Sequence, residues 1–396
     1  MAGLRPKNFT SSDDFCQRSL ARALRRVNEL HFQVTSACNL SCRYCYAKAV
    51  QSKPGAEQLM DISVLRQGVD TIFSSSSSAA ISVIFHGGEP LLLDPSFYAE
   101  ACEYTTARAT ARGGKVSFGL QSNLTLISDE HLSIFREFGV SLGTSLDGPA
   151  HIHNQMRGDH AATMRGIEKA RAAGLFSGPI CVIGLHNYDR MAEVMEFLRE
   201  IGVTSFLANV GASVGKGSSM SPLPAEAIFT AFRDVCTATQ ESDFTIVEKR
   251  LAQKIDRFLK RCFSKEPGQL TCDTPFCHAG LTMVAIDLAG EIYPCGCAGT
   301  GEKFARYSMG NVARLTAPFE LDALVAFHAK NAKYETVCQN CRARFLCEHG
   351  CPAFDLQDSA FSANVCKANL RLHDHFINHM EVLDSWRKFL AVGGGI

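Results

Sequence analysis

Three cysteines in the segment Cys38–Cys45, with the sequence CNLSCRYC, are the first residues of the chain that could do chemistry. The segment directly follows a predicted strand, so the three thiols share one short loop. Three thiolates at this spacing can hold three irons of a [4Fe–4S] cluster and leave the fourth iron open to an exchangeable ligand. The alternatives are a zinc loop that lacks one ligand, or buried free thiols. The spacing, the aromatic residue before the third cysteine and the preceding strand favour the cluster.

A second group of cysteines lies in the last third of the chain, again at the short spacings that metal ligands show. Its members are Cys272, Cys277, Cys295, Cys338, Cys341, Cys347, Cys351 and Cys366. The N-terminus has no apolar secretory signal, so we predict a cytoplasmic location, where thiols stay reduced. Reduced thiols at ligand spacing indicate metal. A pair of four-cysteine zinc sites is the structural alternative for this group.

Other polar and glycine residues follow the predicted strands. The second strand ends in His86, which is followed by Gly87, Gly88, Glu89 and Pro90. Glycine lets a backbone approach a ligand closely. Asn123 and Ser145 close the third and fourth strands. The chemistry of a parallel barrel lies at the carboxyl ends of its strands, so we expect these residues at the same site as the cysteine loop.

These candidates are positioned by a regular alternation of strands and helices. The predicted strands are Leu30–Val34, Ile81–Phe85, Val116–Leu120, Val140–Ser145, Ile180–Gly184 and Ser205–Val210. The helices between them are Ile62–Ile72, Phe97–Arg112, Asp129–Phe138, Ala161–Ala173 and Arg190–Ile201. Such alternation predicts an α/β fold with a parallel sheet, and six units fit a partial (β/α)6 barrel of the TIM type.

Changes in composition divide the chain into five segments. Glycine, serine and proline mark a linker at Gly211–Pro224, helices are predicted over Ala225–Phe263, and an amphipathic helix is predicted over Lys367–Ala391. The predicted segments are a helical lead-in (1–28), the partial barrel (29–211), the linker and helices (212–270), a domain folded around metal (271–370) and a C-terminal helix (371–396).

The overall charge and hydropathy exclude other classes of protein. The chain has 40 basic and 40 acidic residues, so its formal net charge is zero. This balance gives no support to a nucleic-acid partner or to an acidic membrane surface. No stretch reaches the ~18 uninterrupted apolar residues that a membrane span needs. Apolar residues make up 46 % of the chain, which is ample for a globular core.

The segment Cys38–Cys45 resembles the C-x3-C-x-aromatic-C signature of the radical S-adenosylmethionine superfamily, with Tyr44 as the aromatic residue. The resemblance implies that the open iron binds the amino and carboxyl groups of S-adenosylmethionine. An electron from the cluster then cleaves the cofactor to give a 5′-deoxyadenosyl radical. A flavodoxin- or ferredoxin-type protein would supply that electron. The cofactors perform the hard step, while the protein binds, orients and excludes water.

Further motifs resemble cofactor contacts of the same superfamily. Gly87, Gly88, Glu89 and Pro90 resemble its GGEP motif, which implies contact with the methionine amino group. By resemblance, Asn123 and Ser145 touch the sugar or carboxylate of the cofactor, and Arg165 is a weaker candidate for the carboxylate. The alternatives are strand-end caps for the first two residues and a solvated helix face for Arg165.

The run Ser145–Arg157 fits the pattern S-L-D-G-P-x3-H-x3-R of many peptide-modifying members. Within it, Asp147 is a candidate catalytic residue, although an aspartate before glycine is more commonly a turn residue. For His153 and Arg157, stabilising the loop and contacting the substrate are equally good interpretations.

The C-terminal cysteines resemble the SPASM extension of radical enzymes that modify peptides and proteins. In that extension, four cysteines hold each of two auxiliary [4Fe–4S] clusters, so the resemblance implies three clusters in all. Carried over by position, the first auxiliary set is Cys272, Cys277, Cys295 and Cys351. The second set is Cys338, Cys341, Cys347 and Cys366. Cys297 belongs to neither set and is a spare ligand, a reactive thiol able to act in catalysis, or a small buried residue.

The resemblance covers roughly residues 29–370 and implies a maturase of a ribosomally made precursor peptide. The motifs together are most similar to maturases that link an aromatic ring to a neighbouring side-chain carbon, which forms a cyclophane. The deoxyadenosyl radical would take a hydrogen atom, and the auxiliary clusters could accept the second electron. The alternatives are an anaerobic sulfatase maturase that makes formylglycine, a peptide thioether synthase or epimerase, and a metal-stabilised binding protein without turnover.

A departure from the family pattern follows Cys295. In sulfatase maturases the matching cysteine is followed by an aspartate that acts as the catalytic base, whereas Gly296 and Cys297 follow it here. Glycine cannot accept a proton, and a cysteine thiol is a poor base at neutral pH. This departure favours carbon–carbon linkage over formylglycine formation.

Overall fold

The computed structural model describes most of the barrel and parts of the C-terminal third of the chain. The described residues are 24–47, 50–51, 55, 58–263, 277–297, 306–313, 322–328, 338, 340–344, 346–347, 351–355 and 358–391. The predicted helical lead-in lies almost entirely outside them, and so does Cys272.

Parallel strands form the centre of the molecule. In chain order the strands are β1 (Glu29–Thr35), β2 (Ala37–Cys38), β3 (Val50–Gln51), β4 (Ala80–Gly87), β5 (Lys115–Ser122), β6 (Ser141–Ser145), β7 (Phe176–Ile183), β8 (Ser205–Val210), β9 (Val247–Glu248), β10 (Met283–Ile286) and β11 (Ile292–Tyr293). Nine of them make one sheet in the order β11-β10-β1-β4-β5-β6-β7-β8-β9, and β2 pairs with β3. The six predicted strands are the six central ones, and every neighbouring pair among them is parallel.

The strands place apolar and polar side chains on opposite faces, because successive residues of a strand point to opposite sides. In β1, Leu30, Phe32 and Val34 are fully buried. Gly68 of the first helix lies against the Phe32 ring, so this face is the one that the helices cover. The alternate residue His86 of β4 faces the other side of the sheet, where a cavity opens.

Eleven helices are bounded within the described residues. They are α1 (Ile62–Ser75), α2 (Pro95–Ala111), α3 (Asp129–Phe138), α4 (Ala150–Met156), α5 (His160–Ala172), α6 (Met191–Glu200), α7 (Ala225–Glu241), α8 (Lys249–Phe263), α9 (Pro352–Asp355), α10 (Ser359–Asn378) and α11 (Met380–Ala391). The bounds of α3 are the predicted ones, since Ser128 caps its first turn and Gly139 ends it at φ 64°. The helix α4 was not predicted.

Two predicted helical segments are each divided. The region Ala225–Phe263 consists of α7 and α8 with the short strand β9 between them. The buried carboxylate of Glu248 in β9 accepts hydrogen bonds from the amides of Ala208 and Leu251, which fixes β9 beside β8. The predicted helix Lys367–Ala391 is wrong as one element, because the non-helical backbone of His379 separates α10 from α11.

The sheet continues into the segment predicted to be a separate metal-binding domain. Strand β10 runs parallel to β1, with Leu30 beside Val284, and β11 pairs antiparallel to β10. Helix α10 of the C-terminal segment packs against α7. The strands after residue 271 therefore extend the barrel sheet. The boundaries of the five sequence segments remain predictions. None of the helices in the described ranges is both long and apolar enough to cross a membrane.

A glycine on α5 supports the backbone turn that follows β5. A Cβ at Gly166 would lie 2.2 Å from the carbonyl oxygen of Leu124, which has a positive φ of 58°. We expect Gly166→Ala to lower the free energy of unfolding by about 2 kcal/mol, because the turn must move, despite the higher helix propensity of alanine. Urea unfolding measures this. Glu168→Ala, at an exposed position of α5, is the control, and equal stability of both variants would contradict the expectation.

Candidate cofactor and peptide site

A cavity of about 510 Å³ opens at the carboxyl ends of the central strands. One part of its wall combines the cysteine loop with the ends of β4, β5 and β6. This part includes Cys38, Cys42, Tyr44, Cys45, Tyr46, His86, Gly87, Gly88, Glu89, Gln121, Ser122, Asn123, Ser145 and Arg157. The rest of the wall comes from the ends of β7 and β8, from the helical C-terminal half, and from Cys297 and Cys351.

The three cysteines of the loop have surroundings that suit an iron–sulfur cluster. Cys38, Cys42 and Cys45 all line the cavity. The amide of Leu40 donates to Cys38 Sγ at 3.4 Å, and Arg157 Nη1 lies 3.9 Å from Cys42 Sγ. Such donors stabilise negatively charged sulfur. Burial raises the pKa of the Cys38 thiol to about 12, so a cationic metal centre would be needed to keep it ionised. The donor set fits a [4Fe–4S] cluster with three cysteine ligands.

A buried carboxylate connects the cysteine loop to the strands behind it. Asp147 accepts hydrogen bonds from the Tyr44 hydroxyl, from Arg157 Nε at 3.2 Å and from the Val182 amide at 3.0 Å. His186 Nε2 lies 3.6 Å from the same carboxylate, and its ring stacks on Tyr44. The Arg157 guanidinium lies over the Tyr44 ring, 5.1 Å from its centroid. This network fixes the orientation of Tyr44 within the loop.

The charge of Asp147 is permanent under ordinary conditions. Burial favours the neutral acid, but the Arg157 guanidinium, followed by the other hydrogen-bond donors, holds the pKa of Asp147 below its usual range. The side chain is fully buried and is not among the described residues that line the cavity. The candidate catalytic role of Asp147 stays a prediction, while its described contacts hold the cysteine loop in position.

The two glycines of the GGEP motif bring β4 against the start of the cysteine loop. The Gly88 amide donates to the Thr35 carbonyl at 2.8 Å, and the Glu89 amide donates to the Ala37 carbonyl at 2.8 Å. A Cβ at Gly88 would lie 1.9 Å from the Ala37 oxygen, and one at Gly87 would lie 2.3 Å from the Thr35 oxygen. Only glycine permits this approach, so both residues are required by the backbone packing itself.

The Glu89 side chain joins the ends of β4 and β5. Its carboxylate accepts hydrogen bonds from Ser122 Oγ at 2.6 Å, from the Asn123 amide at 2.8 Å and from the Leu91 amide at 3.0 Å. Pro90 begins the short 3₁₀ helix that Glu89 caps in this way. Burial raises the pKa of Glu89. Because its oxygens are engaged within the protein, the surface that the motif offers to a ligand is mainly the backbone of the glycines.

Two of the three remaining cofactor candidates lie in the cavity. Asn123 Nδ2 donates to Asn39 Oδ1 at 2.9 Å, which ties the end of β5 to the cysteine loop. Ser145 lines the cavity, and its Oγ accepts a hydrogen bond from Gln121 at 3.3 Å. Arg165 is exposed on α5 and is not among the described lining residues. Arg165 is exposed because the helical period places it on the face of α5 opposite the buried residues. These are Ala162, Thr163, Gly166, Ile167 and Ala170.

The C-terminal cysteines fall into two neighbourhoods. Cys277, Cys295, Cys297 and Cys351 pack around a small core of Ala279, Tyr293, Tyr307, Phe327 and Ala353. Cys338 lies near the other three members of the second predicted set. Burial, and then these neighbouring thiols, raise the pKa of Cys338; the neighbours are Cys347, Cys341 and Cys366. The structure thus brings together the described members of each predicted ligand set. No three His, Cys, Asp or Glu side chains in the described ranges converge on a single metal ion.

Cys297 lies between the cysteine loop and the C-terminal cysteines. It lines the cavity, and it is hydrogen-bonded to the hydroxyl of Tyr46, the residue after Cys45. Burial, and then the nearby thiols, raise the pKa of Tyr46. The Tyr46 ring also meets the Phe354 ring edge-on at 6.1 Å. The first cysteine loop and the C-terminal segment are therefore in direct contact at the cavity wall.

His86 occupies the space next to Gly296. A Cβ at Gly296 would lie 2.6 Å from Cε1 and 2.8 Å from Nε2 of the His86 ring. The ring is buried, and its Nε2 has no hydrogen-bond partner among the described residues. Burial, and then the neighbouring His31, lower the pKa of His86 to about 3, so the ring is neutral at physiological pH. The absence of a side chain at position 296 is a steric requirement of this histidine.

Sequence reasoning missed the roles of His86, Tyr46 and His186. His86 had a usable signal, since it directly precedes the glycine pair and its strand parity directs it to the inner face of the sheet. Tyr46 is adjacent to Cys45, although nothing in the sequence relates it to Cys297. His186 follows β7 without any motif, and only the fold brings it to Tyr44.

Residues 32–198 match a family model for the Radical SAM superfamily. The chain contains a radical S-adenosylmethionine domain. The match begins within β1 and spans the cysteine loop, the GGEP motif and the strands from β2 to β7. A domain of this kind implies a [4Fe–4S] cluster and S-adenosylmethionine, for which the cavity provides three thiols and a glycine-lined wall.

Similarity to known proteins extends beyond the radical S-adenosylmethionine domain. The chain is 26 % identical over 380 residues to a serine-type anaerobic sulfatase-maturating enzyme of Bacteroides thetaiotaomicron, which covers 88 % of this chain and 89 % of the relative. Its fold is similar to that of native anSMEcpe with bound AdoMet and Cp18Cys peptide, with a TM-score of 0.68, 20 % identity, and coverage of 90 % of this chain and 98 % of that one. It is also similar to Streptococcus suis SuiB bound to precursor peptide SuiA, with a TM-score of 0.55, 16 % identity, and coverage of 84 % and 74 %. The predicted α/β fold with a partial barrel is confirmed.

The Asp147 network gives a first test of the site. We expect Asp147→Asn to lower the free energy of unfolding by about 3 kcal/mol, because Arg157 is left buried without its anionic partner. Urea unfolding of the anaerobically purified protein measures this. Asp129→Asn is the control, since the Asp129–Lys169 pair is exposed and should contribute little. A similar effect of the two substitutions would refute the positioning role.

The contact between His86 and Gly296 gives a second test. We expect Gly296→Ala to lower the free energy of unfolding by about 2 kcal/mol, because the buried His86 ring must shift to make room for the new methyl group. In a His86→Ala background the same substitution should cost almost nothing, since the space is then vacant. A double-mutant cycle by urea unfolding measures the coupling between the two positions. Additive effects would show that the ring does not restrict position 296.

Proposed function

We propose that this protein is a maturase that oxidatively links an aromatic ring to a neighbouring side-chain carbon in a ribosomally made precursor peptide. The observation that supports the proposal is a single cavity shared by the cysteine loop, Cys297 and Cys351, and an aromatic wall that includes Phe229, Phe232 and Phe361. A peptide side chain in this cavity would have the cofactor site on one side and the C-terminal cysteines on the other.

The residues around the cavity would hold the cofactors. When bound, S-adenosylmethionine and a [4Fe–4S] cluster supply a 5′-deoxyadenosyl radical that removes a hydrogen atom from the substrate. Cys38, Cys42 and Cys45 would ligate the cluster, while the backbone of the glycine pair, Asn123 and Ser145 would orient the cofactor. The fully engaged Glu89 keeps these strand ends in register. A flavodoxin- or ferredoxin-type protein is the proposed electron donor.

Two auxiliary clusters are part of the proposal. The first would use Cys272, Cys277, Cys295 and Cys351, and the second would use Cys338, Cys341, Cys347 and Cys366. Support comes from the grouping of the described members, because burial and then the nearby thiols of Cys295 and Cys277 raise the pKa of the half-buried Cys351. Each set of four thiols matches the usual ligation of a [4Fe–4S] cluster.

The peptide class is supported by the comparisons. One structurally similar protein holds the Cp18Cys peptide, and another holds the precursor peptide SuiA. The sequence similarity to a sulfatase-maturating enzyme supports formylglycine formation as the second candidate function. Both reactions oxidise a peptide side chain, so they differ in the residue modified and in the base required.

The acid–base groups of the cavity favour cross-linking over formylglycine formation. Glu89 is the only carboxylate among the described lining residues, and its oxygens accept three hydrogen bonds from the protein. Position 296 cannot hold a carboxylate while the His86 ring is in place. The described wall therefore has no free carboxylate to deprotonate a serine or cysteine. Cross-linking needs a base only for the late loss of a ring proton, and a weaker base is sufficient for that step.

The two functions can be separated with two peptides. The reconstituted, chemically reduced protein receives S-adenosylmethionine with either a sulfatase-type Cys or Ser peptide or an aromatic-containing precursor encoded near this gene. We expect the precursor to lose two hydrogens and to gain a cross-link that resists thiol reagents, as measured by tandem mass spectrometry.

The control is the triple variant Cys38→Ala/Cys42→Ala/Cys45→Ala, which should form neither product nor 5′-deoxyadenosine. Formylglycine on the sulfatase-type peptide, with the precursor unchanged, would replace the cross-linking proposal with its alternative.

A further inference from the structure

Two cations on α8 line the cavity, and neither forms a salt bridge with a carboxylate among the described residues. Arg250 and Lys254 are one helical turn apart, and both line the cavity. Arg250 donates to the side-chain oxygen of Asn209, and Lys254 Nζ lies 3.4 Å from that of Asn369. Both contacts in the described structure are thus with neutral amides. Glu248 precedes them, but its buried carboxylate is engaged by backbone amides.

Neighbouring cations on the surrounding helices do have carboxylate partners. Arg233 of α7 pairs with Asp234 at 2.7 Å, Arg371 of α10 pairs with Glu226, and Lys260 of α8 pairs with Asp256 at 2.7 Å. These three charges are therefore neutralised in pairs. Arg250 and Lys254 line the cavity and have no such pair among the described residues.

The two unpaired charges on neighbouring turns of α8 are unfavourable for the helix. Like charges at positions i and i+4 of a helix repel each other and destabilise it by roughly 0.2–0.5 kcal/mol. An anion bound between them would remove the repulsion and gain charge-assisted hydrogen bonds from both groups. Phe232 completes the surroundings, since the Lys254 ammonium lies 5.7 Å from its ring centroid. A ligand that combines an anionic group with an apolar one matches this part of the wall.

We propose that Arg250 and Lys254 form a carboxylate-binding subsite that selects peptides with an acidic residue or a free C-terminus close to the aromatic side chain to be modified. This substrate preference rests on the proposed peptide-modifying function. The carboxylate of S-adenosylmethionine is the alternative ligand for the same two cations. The peptide is favoured because Arg250 is anchored at Asn209 of β8, whereas the cofactor candidates Asn123 and Ser145 lie at β5 and β6.

The test uses the anaerobic, reconstituted protein loaded with S-adenosylmethionine and a displayed library of random octapeptides. Sequencing of the bound pool gives the frequency of Asp and Glu relative to the input library. The test variant is Arg250→Gln/Lys254→Gln. The control variant is Lys249→Gln/Lys260→Gln, which removes the same charge from the same helix at positions outside the cavity wall. Fluorescence anisotropy then compares a selected peptide with its Asp→Asn or Glu→Gln partner, and calorimetry measures the affinity for S-adenosylmethionine.

We expect acidic residues to be enriched near aromatic ones by the wild-type protein and by the control variant, and not by the test variant. Neutralising the selected carboxylate should weaken binding to the wild-type protein roughly tenfold and leave binding to the test variant unchanged. Absence of acidic enrichment, or enrichment that survives in the test variant, would overturn the subsite. Weaker cofactor binding in the test variant, without a change in peptide selection, would assign the two cations to S-adenosylmethionine instead. Binding is measured without turnover, so wild-type protein that selects acidic peptides and modifies none would contradict the proposed function alone.

Discussion

The buried ion pair between Asp147 and Arg157 is the interaction on which the rest of the site depends. A carboxylate without solvent exposure must have its charge compensated, and three segments of the chain supply the donors. Because one of those donors is Tyr44, the cysteine loop is held by an interaction that is costly to break. Arg157 also contacts Cys42. The ion pair that balances the buried charge therefore also helps to position a thiol of the cysteine loop.

The second buried carboxylate, Glu89, has an equivalent effect on the other side of the loop. It holds β4 and β5 together through backbone amides, while the glycine pair brings β4 onto the backbone before Cys38. The described hydrogen bonds of both acids close to the cysteine loop are thus made within the protein. The chemistry left to the cavity belongs to bound cofactors, to the neutral His86 ring, to thiols and to cations. A site of this character suits radical transfer more than proton transfer by carboxylates.

Local features could be predicted from the sequence, and non-local ones could not. Helix α3 was predicted with its observed bounds because Ser128 and Gly139 mark both ends within a few residues. The cysteine loop was equally local. By contrast, the contact between His86 and Gly296 joins a strand and a turn that are distant along the chain, and the partners of Asp147 come from three segments. The exposed position of Arg165 on the outer face of α5 was equally non-local, because it depends on where the barrel lies.

The parallel pairing of β10 with β1 has a consequence for the synthesis of the chain. Glu29 pairs with Met283, so the two strands are separated by about 250 residues. Until the ribosome has released β10, one edge of β1 remains without its partner, and unpaired strand edges favour association with other chains. Such distant pairings also close slowly, because the entropy of a long loop must be lost first.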